Sequence, residues 1–172
     1  MTEIRRLEQL GQATDTLQEP VKKETLAQTK EEKNDRMQLS FLSKSQNERF
    51  SRTVVAAFVA RLDPTLEELS DLKTAVSEAV TNAIIHAYSD EQGKVELSAE
   101  IKGNEVAVEI RDYGVGIPDI RQAMEPTYTT RPEWERSGMG FAFMEAFTDE
   151  LNVESVPGEG TCIRMKKRIG GT

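Results

Sequence analysis

Glu78-Ala79-Val80-Thr81-Asn82-Ala83-Ile84-Ile85-His86 is the stretch whose reading decides the fold. Its polar residues Glu78, Asn82 and His86 recur at every fourth position, which an α-helix converts into one ridge. Ala79, Val80 and Ala83 continue an apolar stripe that starts at Leu69, Leu72 and Val76 and reaches Ala87. On a wheel of about 100° per residue, Glu78 and Asn82 fall well off the centre of that stripe, and His86 nearer its edge. The helix can therefore pack on a sheet with one side and present chemistry on another. Asp63-Pro64 marks its opening, and the pattern carries it to about Tyr88.

Outward from this helix the elements follow in order. Upstream, Met37, Leu39 and Phe41 alternate with polar neighbours, predicting a short strand over residues 37–42. Ser45-Gln46-Asn47-Glu48 has capping-box spacing, and Phe50, Val54, Ala57 and Phe58 follow at helical intervals. Downstream, Val95, Leu97, Ala99 and Ile101, then Val106, Val108 and Ile110, predict two strands around the turn Lys102-Gly103-Asn104-Glu105. Phe141, Met144, Phe147 and Thr148 mark a third helix after Gly140. Residues 153–156 and 161–165 predict a closing hairpin over Pro157-Gly158-Glu159-Gly160. Elements in this order give the α/β class (α+β): a two-layer sandwich of helices on a mixed, mainly antiparallel sheet. Residues 1–36 are polar after Pro20 and read as a mobile extension, with a partner-binding helix over Ile4 to Leu17, or a start codon placed upstream of a true start at Met37, as alternatives. The globular domain spans residues 37–172.

The helical ridge and two glycine turns suit a nucleotide. Mg²⁺ takes hard oxygen ligands and often holds few protein groups beside phosphate oxygens, a role that the Asn82 carboxamide fits. Glu78, one turn earlier, is placed to accept a proton from an attacking hydroxyl or water. Without the glycine motifs the same pair would read as surface residues. In Asp112-Tyr113-Gly114-Val115-Gly116, a carboxylate at a strand end can accept from an exocyclic amine such as that of adenine, and glycines admit a ring close to the backbone. A tight turn with a capping Asp is the alternative. Ser137-Gly138-Met139-Gly140 leads into a helix, whose first N–H groups and dipole favour phosphate. Arg136 adds charge toward the terminal phosphate. Residues 125–138, with Thr129 and Thr130 between Pro126 and Pro132, read as a nucleotide-ordered lid or as a plain surface loop. Trp134 lies within it as a contact or as lid packing. His86, the sole histidine, is structural before it is catalytic.

Composition excludes several classes. A net charge of −8, from 22 basic and 30 acidic residues, opposes a nucleic-acid footprint. Arg164, Lys166, Lys167 and Arg168 are therefore read as a solvated terminal strand. No run is long and apolar enough to span a bilayer, and the first residues lack a signal-peptide core. The one cysteine, Cys162, permits no intrachain disulfide and reads as a small strand residue, so the cytoplasm is the default compartment.

Glu78-x-x-x-Asn82-x-x-x-His86, Asp112-x-Gly114-x-Gly116, Gly138-x-Gly140 and Gly158-x-Gly160-Thr161 resemble the N, G1, G2 and G3 boxes of the GHKL ATPases. Ser45-Gln46-Asn47-Glu48, residues 76–86 and Glu135-Arg136-Ser137-Gly138-Met139-Gly140-Phe141 are similar, more closely, to the anti-sigma-F serine kinases of endospore-forming bacteria. The resemblance covers residues 37–169. It implies a homodimer that uses ATP, ADP and Mg²⁺, holds the sporulation sigma factor F, and phosphorylates a serine of an anti-anti-sigma factor, which displaces the sigma factor when unphosphorylated. It implies Glu78 as base, Asn82 as Mg²⁺ ligand and Asp112 as adenine reader. Gly114, Gly116 and Thr161 would lie along the adenine pocket. Arg136 with Ser137, Gly138, Met139 and Gly140 would hold phosphates, with Thr129 and Thr130 from the lid. Arg52 matches a position that contacts protein partners. Ala87 stands where the resemblance places glycine, which puts the local helix end in question. Two other classes are weighed. A self-contained histidine kinase needs a phosphoacceptor histidine on a separate helix, and His86 lies inside the N box. A nucleotide-gated sigma trap without catalysis is opposed by intact Glu78 and Asn82.

Overall fold

The computed structural model describes residues 34–88, 92–125 and 138–170. The polar segment 1–33, Thr129, Thr130, Trp134, Arg136 and Ser137 lie outside the described residues, as does most of the expected lid. Among the described residues five strands form one sheet: β1 (Asn34–Leu42), β2 (Lys94–Lys102), β3 (Glu105–Asp112), β4 (Glu150–Val156) and β5 (Gly160–Arg168), in the order β1-β2-β3-β5-β4. Every pairing is antiparallel, so the sheet is not mixed as expected. The reason is topological: β2–β3 and β4–β5 are hairpins, β1 and β2 are joined through the helices between them, and β3 and β4, which run in the same direction, are separated by β5 and never pair.

Period-two alternation survives across the whole sheet. Leu39, Leu97, Ile110, Ile163 and Val153 occupy one row through four successive pairings. The adjacent row, Gln38, Ser98, Glu109, Arg164 and Asn152, faces the other way and is polar. Helices cover the apolar face: α1 (Ser45–Val59), α2 (Leu66–Ile85) and α4 (Gly140–Phe147), with a one-turn α3 (Ile120–Ala123) beyond the sheet edge. Leu72, Val76, Ala79 and Val80 of α2 meet Leu97, Ile101 and Ile110 in one core, each burial of a large apolar side chain being worth about 1.5–3 kcal/mol.

Two helix starts differ from the sequence pattern. Ser45 is the first residue of α1, whose N-cap is Lys44 with no side-chain cap bond. Glu48 is drawn instead to α2, where its Oε1 accepts the Ser77 hydroxyl at 2.5 Å and faces Arg52 Nε at 3.2 Å. The capping box belongs to α2: Thr65 Oγ1 accepts the Glu68 N–H, and Glu68 Oε2 accepts the Thr65 N–H at 2.7 Å. Asp63 and Pro64 precede that cap, with Asp63 left-handed at φ 51°. Helix α2 ends at Ile85, three residues short of the expected end. Ala87 follows buried, and its backbone is not left-handed, so nothing there requires glycine.

Three strands run longer than expected, β1 from Asn34, β4 from Glu150 and β5 to Arg168. Charge pairing on the open sheet face extends the ladder past the apolar residues that mark it in sequence. Arg164 pairs with Glu109 and Glu154 at 2.7 Å each and Lys166 pairs with Glu150, while on the helix-covered face Lys167 reaches Asp71 of α2 at 3.2 Å. Arg164, Lys166 and Lys167 of the basic cluster are thus committed to the domain's own carboxylates. Cys162 is buried in β5, where burial raises its thiol pKa and leaves it a small strand residue. No helix among the described residues is long and apolar enough to cross a membrane.

Thr65→Ala removes one arm of the capping box and is expected to lower stability by about 1 kcal/mol. Urea unfolding with an unchanged midpoint would show that the box contributes nothing to α2.

Candidate functional site

A cavity of about 490 Å³ opens between α2, the C-terminal end of β3, the loop 115–123 and the start of α4. Its wall on α2 is made by Ala79, Asn82, Ala83, His86 and Ala87. The two small residues Ala79 and Ala83 cover the sheet without filling the space beside it. Ile110 and Ile163 supply an apolar floor, with Asp112 and Thr161 at one end.

Asp112 is 7% exposed, and its carboxylate is divided between two tasks. Oδ1 accepts backbone N–H groups from Gly114 at 3.0 Å and Thr161 at 3.2 Å. Oδ2 takes no hydrogen bond among the described residues, and Asp112 lines the cavity, so the carboxylate keeps acceptor capacity there. Burial pushes the Asp112 carboxyl above its ordinary range, partly offset by the two N–H donors.

The glycines of this region are required by the chain itself. A Cβ on Gly114 would lie 1.9 Å from the Ala87 carbonyl oxygen, while the next residue, Val115, donates its N–H to that same oxygen at 2.9 Å. Gly116 has φ 70°, and a Cβ there would lie 2.3 Å from the Val156 carbonyl. Close backbone approach of chain to chain therefore explains both residues, where the sequence points to approach of a ring. Gly116 lines the cavity and Gly114 does not.

Opposite Asp112, Gly138 at φ 58° turns the chain into α4, with Met139 at the N-cap. A Cβ on Gly140 would stand 3.1 Å from Glu78 Oε2 and 3.4 Å from Asn82 Oδ1. The first turn of α4 is thus set against the acidic and amide residues of α2. The N–H groups of that turn and its dipole favour an anion. No cluster of three or more His, Cys, Asp or Glu among the described residues is arranged to hold a metal. The Asn82 oxygen is a hard donor of the kind that Mg²⁺ takes beside oxygens of a ligand.

Asn82, Asp112, Gly116, Gly138, Gly140 and Thr161 are brought to one cavity, with Glu78 beside the α4 start. Met139 caps α4 without lining the cavity. Arg52 lies on α1, paired with Glu48, and is not part of it. His86 lines the cavity and caps the end of α2, its N–H donating to the Asn82 carbonyl at 2.9 Å. Sequence reasoning misses the outer wall, Ile117, Pro118, Asp119, Gln122 and Ala123. The signal lies in Pro118-Asp119 and Gln122, since Asp119 Oδ1 accepts the Gln122 N–H at 3.1 Å as an N-cap.

Residues 43–167 match the histidine kinase-like ATPase domain family. An anti-sigma F factor of Thermoanaerobacter sp. (strain X514) is 61% identical over 134 residues, 78% of this chain and 94% of that protein. Another, from Caldanaerobacter subterraneus subsp. tengcongensis, is 60% identical over 139 residues, 81% of this chain and 97% of that one. The chain belongs to the anti-sigma F factor family, within the histidine kinase-like ATPase domain family.

A solved structure containing RsbU and RsbW domains from Mycobacterium tuberculosis shares the fold, with a TM-score of 0.58 at 19% identity. That likeness covers 78% of this chain and 32% of the other. Membership of an ATPase family implies that the chain binds nucleotide.

Gly114→Ala sets a methyl group against the Ala87 carbonyl and is expected to lower the melting temperature by several degrees, since overpacking costs about 1–3 kcal/mol. A wild-type melting curve would mean that the turn shifts freely and that the contact does not hold the cavity wall.

Proposed function

We propose that this chain is an ATP-dependent serine protein kinase and anti-sigma factor that binds ATP in the cavity between α2, β3 and α4. The observation that carries the reading is the meeting of Glu78 and Asn82 with the start of α4 at one end of a cavity whose other end holds Asp112. In this reading Asp112 Oδ2 accepts from the adenine amine, and the sheet floor of Ile110 and Ile163 carries the ring. The residues from Gly138 to Gly140 hold phosphate oxygens with backbone N–H groups, with Arg136, Ser137, Thr129 and Thr130 added from the neighbouring segment. Asn82 would hold Mg²⁺, which when bound supplies charge neutralisation on the phosphates.

Glu78 accepts the proton of a protein serine hydroxyl as that oxygen attacks the γ-phosphorus. The bond from the γ-phosphorus to the β–γ bridging oxygen breaks, and ADP leaves. Positioning and electrostatics supply most of the rate in such a transfer. The close relatives carry the name anti-sigma F factor. We accordingly assign the sporulation sigma factor F as the sequestered partner and an anti-anti-sigma factor as the kinase substrate. The active species is a cytoplasmic homodimer, with Arg52 on the partner-facing side of α1.

The test is γ-phosphate transfer from labelled ATP to a purified anti-anti-sigma protein. Glu78→Gln should keep ATP affinity within about two-fold while transfer falls by at least 10²-fold, the usual scale for a lost general base. Transfer at the wild-type rate by that variant sinks Glu78 as the base. Sigma binding without transfer by the wild type would leave a nucleotide-gated trap instead of a kinase.

Asp112 supplies a second test. Its raised pKa means that the carboxyl is protonated at a higher pH than an ordinary aspartate, so ATP affinity should fall on acidification while the pH is still above 3.8. Asp112→Asn should bind ATP more weakly and lose that pH response. Equal affinity in a calorimetric titration of wild type and variant rejects the adenine assignment.

A further inference from the structure

The end of α2 is tied to the turn after β3 by a side chain that the proposed chemistry leaves unused. The Tyr88 hydroxyl accepts the Tyr113 N–H at 2.9 Å and donates to the Lys94 carbonyl at 2.5 Å. One oxygen thus joins three segments: the residues after α2, the first residue of β2, and the peptide that follows Asp112. A phenol can do both because it has one proton to give and lone pairs to accept. The ring reaches this junction over Gly93, where a Cβ would lie 1.9 Å from it. Tyr88 itself does not line the cavity.

The Tyr113 N–H belongs to the peptide bond whose carbonyl side is Asp112. Its orientation, with the Val115 to Ala87 bond two residues further on, fixes how the turn leaves β3. The same turn presents the Gly114 N–H to Asp112 Oδ1. Loss of the phenol oxygen would remove the acceptor of Tyr113 N–H and leave the turn held only through Val115, by its bonds to Ala87 and Gly158. With its following peptide less fixed, the Asp112 carboxylate would be aimed less firmly about its Cα–Cβ and Cβ–Cγ bonds.

We propose that Tyr88 is a positioning residue for base recognition, its hydroxyl holding the Asp112–Tyr113 peptide so that the Asp112 carboxylate is aimed at the base of a bound nucleotide. This rests on the nucleotide reading of the cavity. Because Tyr88 acts through Asp112 and not through the phosphate end, its loss should be felt by ligands that carry a base and not by phosphates alone.

The test uses the full chain and calorimetric titration with Mg-ATP, Mg-ADP and Mg-tripolyphosphate. Tyr88→Phe keeps the ring and is expected to weaken ATP and ADP by about ten-fold, one lost hydrogen bond, with tripolyphosphate unchanged. Gly93→Ala displaces the ring without removing the hydroxyl and should give the same selective loss, which keeps the idea testable if Tyr88→Phe folds poorly. Wild-type ATP affinity in both variants overturns the proposal. An equal loss for tripolyphosphate also overturns it, since the role would then be general stability. A wild-type chain that binds tripolyphosphate as tightly as ATP refutes base recognition by Asp112, and the proposal falls with it.

Discussion

The Ala87 carbonyl oxygen occupies the space that a side chain on Gly114 would need, and the cavity depends on that contact. Helix α2 must pack its apolar stripe on the sheet and then stop before it meets the turn after β3. Without a Cβ at 114 the turn passes directly beneath the helix end, and Val115 donates its N–H to the same carbonyl. Gly116 then passes under the Val156 carbonyl, and the Gly158 N–H returns to the Val115 carbonyl at 2.8 Å. Three stretches of chain are stacked backbone on backbone, with their polar groups satisfied by one another. No bulky side chain is needed to fill that region, so the space between it and α4 stays open.

The second close approach is at the other end of the cavity. Gly140 starts α4 where any side chain would stand between the helix terminus and the Glu78 and Asn82 side chains. A helix start attracts negative charge, and here it lies against a carboxylate and an amide oxygen on the neighbouring helix. The polar ridge of α2 is therefore used along its length. Glu78 and Asn82 meet α4, and His86 closes the helix beside the turn that follows β3. Both ends are set by glycine contacts, while the apolar stripe of α2 fixes the distance between them through its packing on β2 and β3.

What was legible in the sequence is what repeats. The alternation in β2 and β3 gave the strands and their faces, because a buried face leaves only one register open. The four-residue ridge gave α2 and placed Glu78 and Asn82 correctly off the core. Single-residue signals were less secure. Ser45 and Thr65 both precede a glutamate by three positions, yet only Thr65 forms the box. At Ser45 the competing partner, Ser77 on α2, is remote in sequence, so spacing along the chain cannot reveal it. The outer wall at Pro118 to Ala123 was missed for a related reason. A single helical turn has too few residues for a periodic pattern, and its cap at Asp119 is a local signal among many aspartates.

Asp112 shows why a motif residue resists assignment to structure or to chemistry alone. A turn-capping aspartate and a base-reading aspartate are alternatives from sequence; the geometry shows the capping bonds at Oδ1, and the base-reading role proposed for the residue falls to Oδ2. The Oδ1 bonds to Gly114 and Thr161 offset part of the cost of burying the charge, so the structural role is what lets an ionised acceptor persist in a nearly dry position. An amide at this position could keep the two bonds through its oxygen and would then present a donor to the cavity. The side chain would be held as before, with its chemistry inverted at one atom. An alanine would lose both functions together and leave two backbone N–H groups without this acceptor. The capping bonds and the cavity-facing acceptor are thus one device, and the fixed half of the carboxylate is what gives the other half a direction.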